Sequence, residues 1–332
     1  SPYEWTGIPI IAANMDTVGT MTMAKTLAKH QCMTAIHKHY SHSELVKFFG
    51  PHTSSEDKEL LKANQHHLQH SFYSMGILQK DIDKFEAVLK EVGYWREGVA
   101  DEENFGIKMV CVDVANGYMQ SFVDFCKTFR KNHPKLILMA GNVVTGNIVE
   151  ELLFSGVDIV KAGIGPGSAC TTRKLAGVGR PQLSTIIDTT DAAHGLRGHV
   201  CSDGGCTVPA DLSKAFGAGA DFVMLGGMLA GHIESEMEPF EKNGKQYLKF
   251  YGMSSSEAMN KYSGGVAQYR ASEGKVVEIE YRGEVENTLL DILGGIRSTC
   301  TYVGADKLKD LPKRTTFYLS GIQTNDVFGT NR

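Results

Sequence analysis

SGVDIVKAGIG (155–165) and GAGADFVMLGG (217–227) share one layout: a helix end, a glycine, an aspartate, four residues of strand, then glycine again. Working outward from this pair, the same punctuation marks short apolar runs along the whole chain. The others are IPIIAANMD (8–16), TAIHKHY (34–40), HSFYSMG (70–76), MVCVDVANG (109–117), LILMAGNV (136–143) and HVCSDGG (199–205). With IVKAGIG (159–165) and FVMLGGM (222–228) they make eight. Several are nearly continuous in apolar residues, the pattern of parallel strands buried on both faces. Helical patterns lie between them, among them TMAKTLAKH, MQSFVDFCKTFRKN, GNIVEELLFSG and PADLSKAFGAG. Eight strands alternating with helices predict a single (β/α)8 barrel over 1–332, with a doubly wound open sheet as the alternative. In a barrel, the glycine and polar residues after each strand gather on the carboxyl face, where such folds build their sites.

Two stretches break the rhythm. Residues 41–105 contain the polar run HTSSEDKELLKANQHHLQH and read as an irregular insertion of surface helix and loop, with Ser54 or Ser55 as a helix cap. Residues 232–285 read as an excursion: a hairpin turning at Asn243-Gly244, a helix SSSEAMNKY, then a polar loop QYRASEGK. A final helix is expected over roughly 285–300.

Net charge is −4, so bulk charge suggests neither a nucleic-acid nor an anionic-membrane partner. No apolar run reaches transmembrane length. The seven cysteines, an odd number without CxxC pairs, fit reduced thiols in a cytoplasmic protein better than a disulfide framework or a zinc site. The opening SPYEWTGIPI has no initiator methionine and no signal-peptide pattern, as expected of a fragment or processed form.

The chemistry concentrates in GIGPGSACTTR (163–173), where Cys170 stands in a turn of glycine, proline and serine. Such a backbone is sharp and exposed, so a cysteine there is accessible to a ligand. Asp203-Gly204-Gly205 and Gly226-Gly227 follow the seventh and eighth runs, where barrels often bind phosphate through uncovered amides. Asp203 is suited to a pair of ribose hydroxyls. Together these loops predict a nucleotide site. In HKHYSH (37–42), His37 and His39 would share a strand face, but no companion carboxylate or cysteine supports a metal site; Lys38 is a candidate for an anionic or amide group. Glu273 sits in a loop near Arg270.

The strings AANMDTVGT, AIHKHYS, DVANGY, AGNVVTG, GIGPGSACTTR, GVGRPQLS, SDGGC, GAGADFVMLGGM, FYGMSS, YRASEGK and ENTLLDILGG closely resemble the IMP dehydrogenase/GMP reductase family, and within it the reductase branch. The resemblance implies a barrel that reduces GMP with NADPH to IMP and ammonia, in purine salvage, as a cytoplasmic homotetramer. It implies Cys170 as nucleophile at purine C2, with Thr172 and Glu273 supplying the proton for the leaving ammonia. It implies GMP contacts from Ser168, Asp203, Gly204, Gly205, Gly226, Gly227, Gly252, Met253, Ser254, Arg270 and Gly274. Lys38, Asp113, Val114 and Ala115, with Ser298, Thr299, Cys300 and Thr301, are implied for the dinucleotide. Gly165 and Gly167 are implied to bind potassium through their carbonyls. Arg180, Ala169 and VPA (208–210) depart from the usual reductase pattern. The rivals are the dehydrogenase of the same family, a catalytically silent nucleotide-binding barrel, and a flavin-dependent barrel oxidoreductase.

Overall fold

The computed structural model describes residues 4–51, 66–99, 103–263 and 272–321. Strands and helices alternate: β1 (Ile10–Ala12), α1 (Met21–Lys29), β2 (Met33–Ile36), α2 (His42–Phe49), β3 (Ser71–Met75), α3 (Gln79–Val92), β4 (Met109–Asp113) and α4 (Gln120–Asn132). The second half continues with β5 (Ile137–Val143), α5 (Gly146–Phe154), β6 (Ile159–Ala162), a short α6 (Thr172–Leu175), α7 (Gln182–Gly195), β7 (His199–Asp203), α8 (Pro209–Gly217) and β8 (Phe222–Leu225). The eight strands pair in chain order, all parallel. The sheet closes where Ile10, Ile11 and Ala12 meet Val223, Met224 and Leu225. The fold is therefore the (β/α)8 barrel, and the open-sheet alternative fails on that closing pair.

The apolar runs are continuous because the strands are buried on both faces, and the two faces pack differently. Met109, Cys111, Ile137, Met139, Ile159 and Cys201 belong to one buried cluster, while Val110, Val112, Leu138, Ala140, Val160 and Val200 belong to another. The period-2 alternation of a strand separates barrel interior from helix-facing layer. Fully burying each such side chain contributes roughly 1.5–3 kcal/mol.

Local signals set the helices. Thr20 caps α1 by accepting the Met23 amide at 3.0 Å. Ser41 and Glu44 form a reciprocal capping box on α2. Pro209 occupies the first turn of α8, where its missing N–H costs nothing. Much of 41–105 belongs to the barrel as α2, β3 and α3 rather than to an insertion. Ser54 and Ser55 lie outside the described residues.

The excursion after β8 is a small sheet. β9 (Phe240–Lys242) and β10 (Lys245–Tyr251) form the expected hairpin, with Asn243 and Gly244 both at positive φ (54° and 73°), as a two-residue type I′ turn requires. A third strand, β11 (Val276–Glu280), which the sequence reading did not anticipate, pairs antiparallel with β10. Between them lies α9 (Ser256–Ser263). α10 (Val285–Val303) then packs against α8 and α1 in the outer ring of helices, ahead of α11 (Leu311–Arg314).

Candidate active site

β10 and β11 bring the far parts of the site together. Their register pairs Tyr251 with Val276, so the residues just beyond, 252–255 and 272–275, face one another. The Glu273 amide donates to the Ser254 carbonyl at 3.0 Å. The loop after β6 joins the same edge. The Thr171 amide donates to the Glu273 carbonyl at 3.0 Å, and the Lys275 amide to the Ala169 carbonyl at 2.9 Å. Cys170 and Gly274 lie directly opposite, and a Cβ on Gly274 would stand 2.8 Å from the Ser255 nitrogen, so only glycine permits this approach.

This backbone zipper places three side chains in line. The Cys170 thiol donates to Thr172 Oγ1 at 3.2 Å, and the Thr172 hydroxyl donates to Glu273 Oε2 at 2.7 Å. They stand at the lip of a cavity of about 190 Å³ on the carboxyl face. Ser168, Asp203, Gly204, Gly205, Gly226, Gly227, Gly252, Met253 and Ser254 line it too. A side chain at 227 would come within 2.8 Å of Ser168 Oγ, so the glycines keep the wall close and open. The cavity also takes in Met15, Cys206 and Phe250, which sequence reasoning missed; only the position of Met15 after a strand hinted at a role. Among the described residues a larger cavity, about 440 Å³, opens at the opposite mouth around Trp5, Phe72 and Phe222, but it contains no cysteine.

Cys170 is half-buried. Burial pushes the thiols of Cys32, Cys111, Cys126 and Cys206 up to about 12 and raises Cys201 further, which keeps them protonated. All seven cysteines are free.

Beside the cavity, the interior columns of the barrel end in charge. Asp113 follows Cys111 on β4, Lys161 follows Ile159 on β6, and Asp203 follows Cys201 on β7. Lys161 Nζ donates to Asp113 Oδ1 and, at 3.0 Å, to Asp203 Oδ2. Lys161 was hidden from the sequence reading inside an apolar run. Val114 is held beyond β4 by exchanging backbone bonds with Gly141 and Asn142 at 2.9 and 3.0 Å, which fixes the 113–115 turn on the carboxyl face. Lys38 lies on the same face, 3.6 Å from Asp81.

Some expected site residues are not brought together. Ser298, Thr299, Cys300 and Thr301 lie late on α10. Cys300 borders Gly7, Ile8 and Pro9, which lead into β1 from the amino-terminal end, so within one chain this group sits away from the cavity. Thr299 bonds Ser213 at 2.8 Å instead. Arg270 lies outside the described residues. β2 ends at Ile36, so His37 and His39 do not share a strand face. Burial lowers them to about 3 and about 4, and they stack on Tyr40 and Tyr262. Among the described residues no group of three or more His, Cys, Asp or Glu side chains is placed to hold a metal ion. Arg180 bonds the Val144 carbonyl at 2.7 Å and Asp188 at 2.5 Å, tying the loop after α6 to the end of β5 and the middle of α7.

A family model described as the IMP dehydrogenase / GMP reductase domain matches residues 6–324. The chain belongs to the IMP dehydrogenase / GMP reductase family. Relatives within it include GMP reductase 2 of Homo sapiens, 55% identical over 328 residues that cover 99% of this chain and 87% of that protein. GMP reductase 1 of Homo sapiens is 54% identical over 328 residues, covering 99% and 88%. GMP reductase of Aeromonas hydrophila is 54% identical over 326 residues, covering 98% and 87%.

Proposed function

We propose that this chain reduces GMP with NADPH, giving IMP, ammonia and NADP, through a covalent adduct between Cys170 Sγ and purine C2. The observation that carries this reading is the continuous hydrogen-bonded line from Cys170 through Thr172 to Glu273 at the lip of the glycine-walled cavity. A pure nucleotide binder has no use for such a line, and a flavin barrel none for the cysteine.

The chain's own residues divide the work. Cys170 attacks C2 and splits one difficult displacement into two easier ones. Ammonia leaves only when protonated. Attack passes the thiol proton through the Thr172 hydroxyl to the Glu273 carboxylate; with Sγ bonded to carbon, the same relay returns that proton to the amino group, whose C2–N bond breaks to release ammonia. The carboxylate of Asp203 accepts from ribose hydroxyls, and the amides of 204–205 and 226–227 receive phosphate. NADPH, when bound beside Asp113, Val114 and Ala115, would supply the hydride for C2, after which the C2–S bond breaks and its electron pair returns to Cys170 as the thiolate. Ser298–Thr301, at the other end of the barrel, reach a dinucleotide only from a neighbouring copy, in keeping with a homotetramer. The cytoplasmic setting belongs to the same reading. Among the described residues no helix is long and apolar enough to cross a membrane.

The dehydrogenase rival is tested by a paired assay: GMP with NADPH against IMP with NAD, following nicotinamide absorbance and ammonia. NADPH oxidation that requires GMP and releases ammonia is the expected result; faster turnover of IMP with NAD overturns it. Potassium fits the loop after β6 by donor type, since Gly165, at φ 82°, and Gly167 curl the backbone and offer carbonyl oxygens, the hard ligands such a cation takes. Activity is expected to rise when potassium replaces sodium or a bulky organic cation. Equal rates in all three salts would remove potassium from the reading.

A further inference from the structure

Lys161 is a lysine with a side chain only 3% exposed, set in the barrel interior and in contact with two carboxylates. Each carboxylate belongs to a different part of the face. Asp203 lines the nucleotide cavity, and Asp113 ends β4 next to the 114–115 turn. At Asp203, Lys161 and Asn142 Nδ2 both donate to Oδ2, at 3.0 and 2.8 Å, which leaves Oδ1 to whatever fills the cavity. At Asp113, Lys161 takes Oδ1. Asn142 also bonds the Gly163 carbonyl at 2.7 Å, so the loop carrying Cys170 starts from the same cluster.

We propose that Lys161 is a positioning residue that couples the two subsites, its one ammonium being shared between the ribose-binding carboxylate of Asp203 and the dinucleotide-side carboxylate of Asp113. This rests on the GMP and NADPH reading above. A ligand that draws on either carboxylate changes how the ammonium divides between them, and so alters the other. Such coupling is reciprocal by thermodynamic necessity.

The charge balance supports a shared role. Burial acts to raise the Asp113 carboxyl, but the Lys161 ammonium, together with a hydrogen bond from Asn14 and the charge of Lys38, holds the group below the usual carboxylate range. Burial likewise works against the Lys161 ammonium, and Asp113 and Asp203 more than compensate, raising it well above the usual lysine value. The other groups facing the cluster are Lys38 toward Asp113, Cys111 and Cys201 beside Lys161, and Cys206 toward Asp203. The three thiols stay neutral, so without Lys161 the two carboxylates, with side chains 38% and 21% exposed, lose the cation between them, and like charges left close together favour uptake of a shared proton as pH falls.

The test uses the full chain, with GMP as ligand and NADP as a dinucleotide that cannot reduce it. In the wild type, saturating NADP is expected to change the GMP dissociation constant by about fivefold or more. In Lys161→Met this difference should vanish, and as pH drops from about 8 to about 5.5 GMP affinity should fall by about tenfold more than in the wild type, the titration of the GMP phosphate being common to both. The weakening lies on the acid side because a proton taken up by the carboxylate pair removes negative charge from the acceptor side of the cavity. Asp113→Asn is read alongside: altering the dinucleotide side alone should weaken GMP binding by about threefold with no dinucleotide present. If circular dichroism shows Lys161→Met to be unfolded, Asp113→Asn decides. Wild-type affinity for GMP that ignores NADP, a Lys161→Met variant with wild-type coupling and a flat pH profile, or Asp113→Asn with unchanged GMP affinity each overturns the proposal. Absence of GMP-dependent NADPH oxidation by the wild type overturns the functional reading instead.

Discussion

Cys170→Ala is expected to abolish GMP-dependent NADPH oxidation and ammonia release together, a loss of about 10⁶-fold, the scale seen when the nucleophile of a cooperating set is removed. No other group at the lip can replace it. Thr172 and Glu273 are oxygen groups already bonded to one another, and Cys206, the other cysteine on the cavity wall, is held protonated because burial pushes its thiol up to about 12. The substitution should leave the fold intact, because Cys170 is half-buried and its backbone contacts, an amide bond to the Gly167 carbonyl at 3.0 Å and the pairing opposite Gly274, do not involve the side chain. GMP should still bind. The measurements are both partial reactions, GMP deamination and hydride transfer between IMP and NADP, with GMP binding as control. An alanine variant that kept one-hundredth of either rate would end the covalent reading, since residual noncovalent catalysis does not reach that level.

Glu273→Gln should separate the two halves of the reaction. Glutamine keeps the length, the backbone bonds of residue 273 to Ser254 and Thr171, and a hydrogen-bonding group for Thr172 Oγ1. It cannot carry a proton. Deamination is expected to slow by roughly 10²–10⁴-fold, the usual contribution of a general acid–base group. Hydride transfer between IMP and NADP should lose less, because no amine leaves there and a thiol can surrender its proton to solvent. GMP affinity should stay close to the wild-type value. Equal losses in both partial reactions, or none in either, would show that Glu273 is not the deamination acid. The opposite expectation, a solvated loop charge of no consequence, is already weakened by the geometry, since the carboxylate is bonded at 2.7 Å to a hydroxyl that itself bonds the thiol.

Much of the frame was legible along the chain. Eight apolar runs became eight strands because a strand buried on both faces needs only a few adjacent apolar residues, and each was bounded by turn residues. The Asn243-Gly244 turn, α9 and α10 were legible for the same reason: turn chemistry and helical periodicity act within about ten residues. Cys170 stood out by its loop, and the cavity contains most of the residues that the resemblance attached to GMP. Within 41–105 the run HSFYSMG was legible as β3, but α2 and α3 on either side of it were read as surface helix and loop because their apolar faces become visible only against the strands they cover.

Sequence by itself determined the strand–helix alternation and the glycine loops after the strands, and it singled out Cys170, Thr172 and Glu273 as candidates. Only the tertiary structure decided what these groups touch. Thr172 and Glu273 lie 101 positions apart and meet because β11 pairs with β10 and carries 272–275 to the loop after β6, a pairing no local pattern encodes. Closure of β8 on β1 turned alternate residues inward, and that placed Lys161, unremarkable within IVKAGIG, between Asp113 and Asp203. The same closure put Ser298–Thr301 at the far end of the barrel from Cys170. The physical reason is range. Propensity and periodicity are properties of neighbours in the chain, whereas burial of a charge and alignment of a proton path are set by register between segments distant in sequence.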